Sequence, residues 1–198
     1  MSTRAKSVTA EARICDVDSR LRILQTPRLI LRRIKPSDIE ALVALWTNPQ
    51  VTAWMGGPRD KSALPTLFAE AAVDPFADDF DLWPVVEKAS NCFVGHCGLV
   101  EKTIEDQPEI EMIYVFQPEA WGRGYATEMA EALCDHAFRV LRLSRVVALI
   151  APGNGASERV AAKIGMTHTR DVLRPRGVMR NLYVLDNPWG ADRRRPGR

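Results

Sequence analysis

The residues with the clearest capacity for chemistry lie in Pro118-Glu119-Ala120-Trp121-Gly122-Arg123-Gly124-Tyr125-Ala126-Thr127. An apolar run ending at Phe116 precedes this stretch. A helical pattern follows it, with Ala126, Met129, Ala130, Leu133, Ala137, Val140 and Leu141 at steps of three and four. Strand, glycine turn and helix in that order suit an anion. Glycine lets the backbone bend and a ligand come close, and the first amides of a helix point outward without internal partners. The helix dipole adds to them, so a pyrophosphate is a fitting guest, although a turn that merely joins strand to helix has the same local sequence. No Gly-Lys-Ser/Thr follows, which excludes a Walker loop. Thr127 stands where a dinucleotide fingerprint has its third glycine. Upstream, Glu111 is a carboxylate within an apolar strand. Alternation puts Glu109, Glu111 and Ile113 on one face and Ile110, Met112 and Tyr114 on the other. Such a glutamate is either salt-bridged at an edge or useful to a reaction. Cys92, His96 and Cys97, with Cys134 and His136 further on, match no regular zinc spacing, so no metal is expected, and His96 reads as a partly buried strand residue. Ser, His and Asp occur without a nucleophile-elbow sequence.

The wider string is more specific. Trp121 to Glu128 resembles the acetyl-CoA-binding motif of the GNAT N-acetyltransferases, Gln/Arg-x-x-Gly-x-Gly/Ala. Asn154-Gly155-Ala156-Ser157 through Lys163-Ile164-Gly165-Met166 is similar to that family's second signature. Thr26-Pro27-Arg28-Leu29-Ile30-Leu31-Arg32 resembles the opening strand of its ribosomal-protein-alanine acetyltransferase-like branch. The three motifs stand in the family's order.

This resemblance implies acetyl-CoA as cosubstrate and a primary amine as acceptor, either a protein N-terminus or a small molecule. The amine attacks the thioester directly and coenzyme A leaves as a thiolate. The backbone at Tyr114, Val115 and Phe116 would supply the oxyanion donor. The segment Trp121, Gly122, Arg123, Gly124, Tyr125, Ala126 and Thr127 would hold the pyrophosphate, with Arg123 either on phosphate or in solvent. Asn154 would hydrogen-bond the pantetheine arm, a role compatible with capping a helix. Attack needs a neutral amine, and Glu111 is the first candidate for general base, Glu109 the second. Two departures stand out. Trp121 replaces the usual Gln or Arg. Ala161 replaces a tyrosine that protonates the thiolate in many relatives, leaving that role to water, to Ser157 or to nothing.

These residues need a frame. The expected order is strand, two helices, three strands, helix, strand, helix, two strands. That order predicts an α/β (α+β) fold with a mixed, mostly antiparallel central sheet flanked by helices. The resemblance adds that the strand before the glycine turn and the strand at Arg145 splay apart, opening the acetyl-CoA slot. Ser37 is the expected cap of the first helix, with Glu40 completing a capping box. A second helix is expected over residues 60–73, beginning or kinking at Pro65. Trp54 borders the acceptor region in the family arrangement and otherwise reads as core, while Asp78, Asp79 and Asp81 read as a solvated acidic loop.

The 198 residues predict one domain over 21–190, with a flexible tail over 1–20 and a basic tail over 191–198. A net charge of +2 is too small to imply nucleic acid or a membrane as partner. The N-terminus lacks a signal-peptide core, and the four cysteines show no staple pattern, so free thiols in the cytoplasm are expected. Monomer and homodimer both remain open. A non-catalytic acyl-CoA-binding module is the alternative to an enzyme, and an RNA-associated factor built on the basic tail is a third, weaker one.

Overall fold

The structure, a computed structural model, describes residues 21–190. The two expected tails, and Cys15 with them, lie outside the described residues. Eight strands form one sheet: β1 (Arg22–Gln25), β2 (Leu29–Arg32), β3 (Leu82–Glu87), β4 (Phe93–Ile104), β5 (Gln107–Phe116), β6 (Arg145–Ile150), β7 (Thr167–Arg174) and β8 (Val178–Asp186). Their spatial order is β1-β2-β3-β4-β5-β6-β8-β7. Every neighbouring pair is antiparallel except β5 with β6. The mixed, mostly antiparallel sheet is therefore the one expected. Strand β1 was not expected. It is four residues long and pairs only with β2, too short for its alternation to stand out.

Among the described residues five α-helices flank the sheet: α1 (Ile39–Thr47), α2 (Pro49–Thr52), α3 (Leu64–Val73), α4 (Tyr125–Asp135) and α5 (Gly155–Lys163). Helices α1 and α3 bury Leu42, Leu45, Trp46, Leu64 and Phe68 against Val115 and Ile113 of β5. On the opposite face, α4 buries Tyr125, Met129, Ala130 and Leu133 against Met112, Phe116 and Val146. Glu111 and Ile113 thus face α1 and α3, and Met112 and Tyr114 face α4, as alternation required.

Two local expectations are corrected, at Ser37 and at Val140. Ser37 does not cap α1. A 3-10 turn, Pro36–Asp38, leads into the helix, and Asp38 accepts the Lys35 amide at 2.8 Å and both Arg32 Nη atoms at 2.7 and 2.8 Å. A nearly buried bidentate ion pair outcompetes a hydroxyl cap here. Helix α3 starts at Leu64, with Pro65 in its first turn, where a missing N–H costs nothing. Val140 is 64% exposed despite its helical spacing. A π turn at His136–Val140 adds a residue to the last turn, so Phe138 enters the core instead. Finally, β4 and β5 form one long hairpin. Glu105 and Asp106 turn it with φ of 49° and 62°, the left-handed pair that suits right-twisted strands.

Candidate active site

Strand β5 ends at Phe116, and the chain passes through the turn Pro118–Ala120 to Trp121–Gly124 before α4 begins. Gly122 and Gly124 have φ of 71° and 78°, a left-handed backbone that suits glycine. A Cβ on Gly122 would meet nothing within 4 Å. The first helical bond runs from the Glu128 amide to the Gly124 carbonyl, 3.1 Å. Between these points the amides of Gly122 to Thr127 have no acceptor among the described residues. An open turn with unpaired N–H groups is what a phosphate needs.

A clamp of carboxylates and arginines holds this turn. Glu128 accepts the Thr26 hydroxyl, the Arg28 amide at 2.9 Å and Arg28 Nε at 2.6 Å. Arg28 Nη1 donates to the Arg123 carbonyl at 2.8 Å. The guanidinium carbons of Arg28 and Arg123 each lie over the Tyr125 ring, 4.6 Å from its centroid. Glu87 accepts the Tyr125 hydroxyl and Arg123 Nη2, the latter at 2.6 Å. Arg123 is thus an arm of the clamp, paired with Glu87 and stacked on Tyr125. Ser90, then Tyr125, hold the Glu87 carboxyl below its ordinary range. Burial pushes Glu128 up, but the bonds from Thr26 and Arg28 outweigh it and hold the carboxyl low. Trp121, half exposed, donates Nε1–H to the Phe116 carbonyl at 2.8 Å, so it ties the turn to the strand end with its side chain.

β5 and β6 pair only at Glu111 and Val147, and part beyond it toward the glycine turn. Tyr114 reaches across the gap and donates its hydroxyl to the Ser157 carbonyl, 3.2 Å. Burial raises the Tyr114 phenol to about 12. On the far wall, Asn154 caps α5: its Oδ1 accepts the Ser157 amide at 3.3 Å and its Nδ2 donates to Ser157 Oγ at 3.1 Å. Glu111, at the point of the splay, is 7% exposed. Burial raises its carboxyl above the ordinary range, against the nearby charges of Lys102 and Arg174, the Leu149 backbone and Arg180. Glu109 on the same face is instead committed to a bidentate pair with Arg145. Ala161 is fully buried in a cluster with Ala148, Ile150 and Met166.

The remaining candidates are dispersed. His96 is buried, accepts Trp46 Nε1–H at Nδ1 (3.0 Å), and is driven by burial to about 4, so it stays neutral in the core. Cys97 lies in the cluster on the opposite face, and Cys92 is exposed. No three His, Cys, Asp or Glu converge to hold a metal among the described residues. Nor is any helix among them long and apolar enough to cross a membrane. Trp54 is 48% exposed, with its ring near Gly153, so it is not core.

Residues 28–167 match the family described as acetyltransferase (GNAT) domain. The chain belongs to the GNAT family. It is 35% identical over 150 residues to the uncharacterized protein YkkB of Bacillus subtilis (strain 168), covering 75% of this chain and 87% of that one. Its fold is similar to a GNAT-family acetyltransferase from Bacillus anthracis, with a TM-score of 0.70 and 23% identity, covering 83% of this chain and 98% of that chain. It is also similar to a spermidine N-acetyltransferase from Vibrio cholerae solved with CoA and spermine, with a TM-score of 0.66 and 16% identity over 80% of this chain and 95% of that chain.

Sequence reasoning missed several residues in this GNAT chain. Arg28 and Glu128 stand inside quoted motifs, but their pairing spans 100 positions and has no local signature. Glu87 sits in a β3 that reads as plain strand. Arg180 sits at half-buried depth in β8, with Nη2 on the Trp54 carbonyl at 3.3 Å, and nothing in its neighbours marks it.

Proposed function

We propose that this GNAT chain is an acetyl-CoA-dependent N-acetyltransferase acting on a primary amine by direct attack. One observation carries the reading: β5 and β6 share a single pair at Glu111 and Val147 and part toward a glycine turn with unpaired amides. That geometry fits a long, thin cofactor with an anionic head. Acetyl-CoA supplies an activated carbonyl and a thiol leaving group of ordinary basicity. The amides of Gly122 to Thr127 bind the pyrophosphate, Asn154 and the backbone of Tyr114 to Phe116 line the slot, and α4 adds its dipole. Glu111 takes the proton that the amine nitrogen loses as its C–N bond forms and the C–S bond breaks. A carboxyl raised by burial is a stronger base once ionised, which suits this task. Ser157 Oγ, held by Asn154, is the hydroxyl available on the opposite wall.

The buried methyl of Ala161 favours a second reading, a module that binds acyl-CoA without turnover. Calorimetry with acetyl-CoA, followed by thiol release in the presence of assorted amines, separates the two. Binding with amine-dependent thiol release supports the enzyme. Binding without release supports the module, and no binding removes both.

A further inference from the structure

The acceptor is narrowed by the sheet face opposite α4 and α5. Lys102, paired with Glu109, shares that face with Glu111, which pairs with Val100 and Val147. Ile104, Val147, Val172 and Leu182 form one apolar cluster there. Alternation then brings Arg180, two residues before Leu182, and Arg174, two after Val172, to the same side. Arg180 reaches the Trp54 carbonyl and the Met179 carbonyl (3.3 and 2.9 Å), and Arg174 reaches the Thr103 carbonyl at 2.8 Å. None of these three cations lies within ion-pair distance of a carboxylate among the described residues, whereas the arginines of the glycine-turn clamp both do. With Glu109 on this face taken up by Arg145, three cations around the carboxylate of Glu111 leave it positive. The acidic residues Asp74, Asp78 and Asp81 instead border a separate recess with Ile34 and α3.

We propose, building on the acetyltransferase reading, that the acceptor is an amine carrying its own anionic group, a carboxylate or a phosphate. Arg180 and Arg174 bind that group while the amine faces Glu111 beside Trp54. A guanidinium whose forks are only partly used by carbonyls gains most from a planar, bidentate anion. A polycationic acceptor would meet repulsion from three sides, whereas an anion is steered in.

The test compares thiol release from acetyl-CoA with three matched sets of primary amines. One set is anionic, with carboxylate-bearing peptides and phosphate-bearing amines as separate arms. The second is neutral and the third is polycationic, with spermidine as its probe. The anionic set is expected to give the highest kcat/KM, with an acceptor KM that rises with salt. The carboxylate and phosphate arms identify which anion is taken. Arg180→Gln and Arg174→Gln should each lower the anionic-to-neutral ratio of kcat/KM by about tenfold or more while the KM for acetyl-CoA holds, and Arg180→Lys should recover part of the loss. Preference for spermidine or for neutral amines overturns the proposal and leaves the acetyltransferase reading intact, as does an unchanged ratio in both variants. Acetyl-CoA binding with no amine acetylated overturns that reading, and this proposal with it.

Discussion

The two sides of the splayed strands are built on opposite principles. On the α4 side the charged groups that hold the glycine turn are paired with one another. Glu128 and Glu87 each gather several donors, Arg28 and Arg123 stack on Tyr125, and the backbone amides of the turn are left without an acceptor among the described residues. On the other side the buried carboxylate of Glu111 faces three cations, none of them in an ion pair among the described residues. The first side is preorganised for one fixed guest. The second keeps its charges uncommitted, which suits a part of the site that must distinguish among acceptors. The two carboxylates also differ in sign: Glu128 is held low and Glu111 is pushed high.

The sharpest way to break this contrast is Glu111→Gln. In the proposed reaction it should lower kcat/KM roughly 10²- to 10⁴-fold and abolish the acid limb of the pH profile. The same variant should melt higher than the native chain at neutral pH. A carboxyl raised above its ordinary 4.5 destabilises the fold as pH climbs through the raised value, and that penalty is absent below the ordinary one. Thermal melts from acid to neutral pH should therefore show the variant's advantage opening with pH. A Glu111 that served stability alone would show the reverse.

Gly124→Val tests the opposite side. Its φ of 78° strains a branched residue, and Arg28 Nη2 lies 3.4 Å from the new Cβ. Acetyl-CoA affinity by calorimetry should fall by at least about tenfold, since close approach to phosphate is lost. Gly122→Ala, where the added methyl meets nothing, should keep the fold at a cost of about 1–2 kcal/mol and lose affinity to a smaller degree.

Glu128→Ala removes the acceptor shared by Thr26 and Arg28 and should cost about 1.5–3 kcal/mol in chemical denaturation. Its contribution has the sign opposite to that of Glu111. It is present above the ordinary carboxyl value of 4.5 and is lost as pH falls through the depressed one. The smallest effect should come from Trp121→Phe, which deletes one bond to the Phe116 carbonyl. About 0.5–1.5 kcal/mol, read as a small drop in Tm, is expected.

Much of the site on the α4 side was legible because its parts are contiguous. A turn needing left-handed residues must show glycines, a helix start must show its amides, and a capping Asn stands three residues from the amide it accepts. Periodicity likewise placed the strands and helices, and it failed where one residue shifts the count, at the π turn that includes Val140. Local rules also misassigned Ser37, because Arg32 reaches Asp38 from a neighbouring strand and no window around Ser37 shows that geometry.

By itself, then, the sequence determined the alternation that turns Glu111 away from α4, the open glycine turn, and the family to which the chain belongs. Tertiary structure alone decided that Arg123 joins a clamp with Glu87, that Glu109 is taken up by Arg145 while Glu111 stays buried at the splay, and that Lys102, Arg174 and Arg180 meet on one face. The physical reason is range. Backbone conformation and side-chain alternation are set by nearest neighbours, whereas the burial and charge around a carboxylate depend on strands brought together from β4, β7 and β8, and no local pattern records which of them will be adjacent.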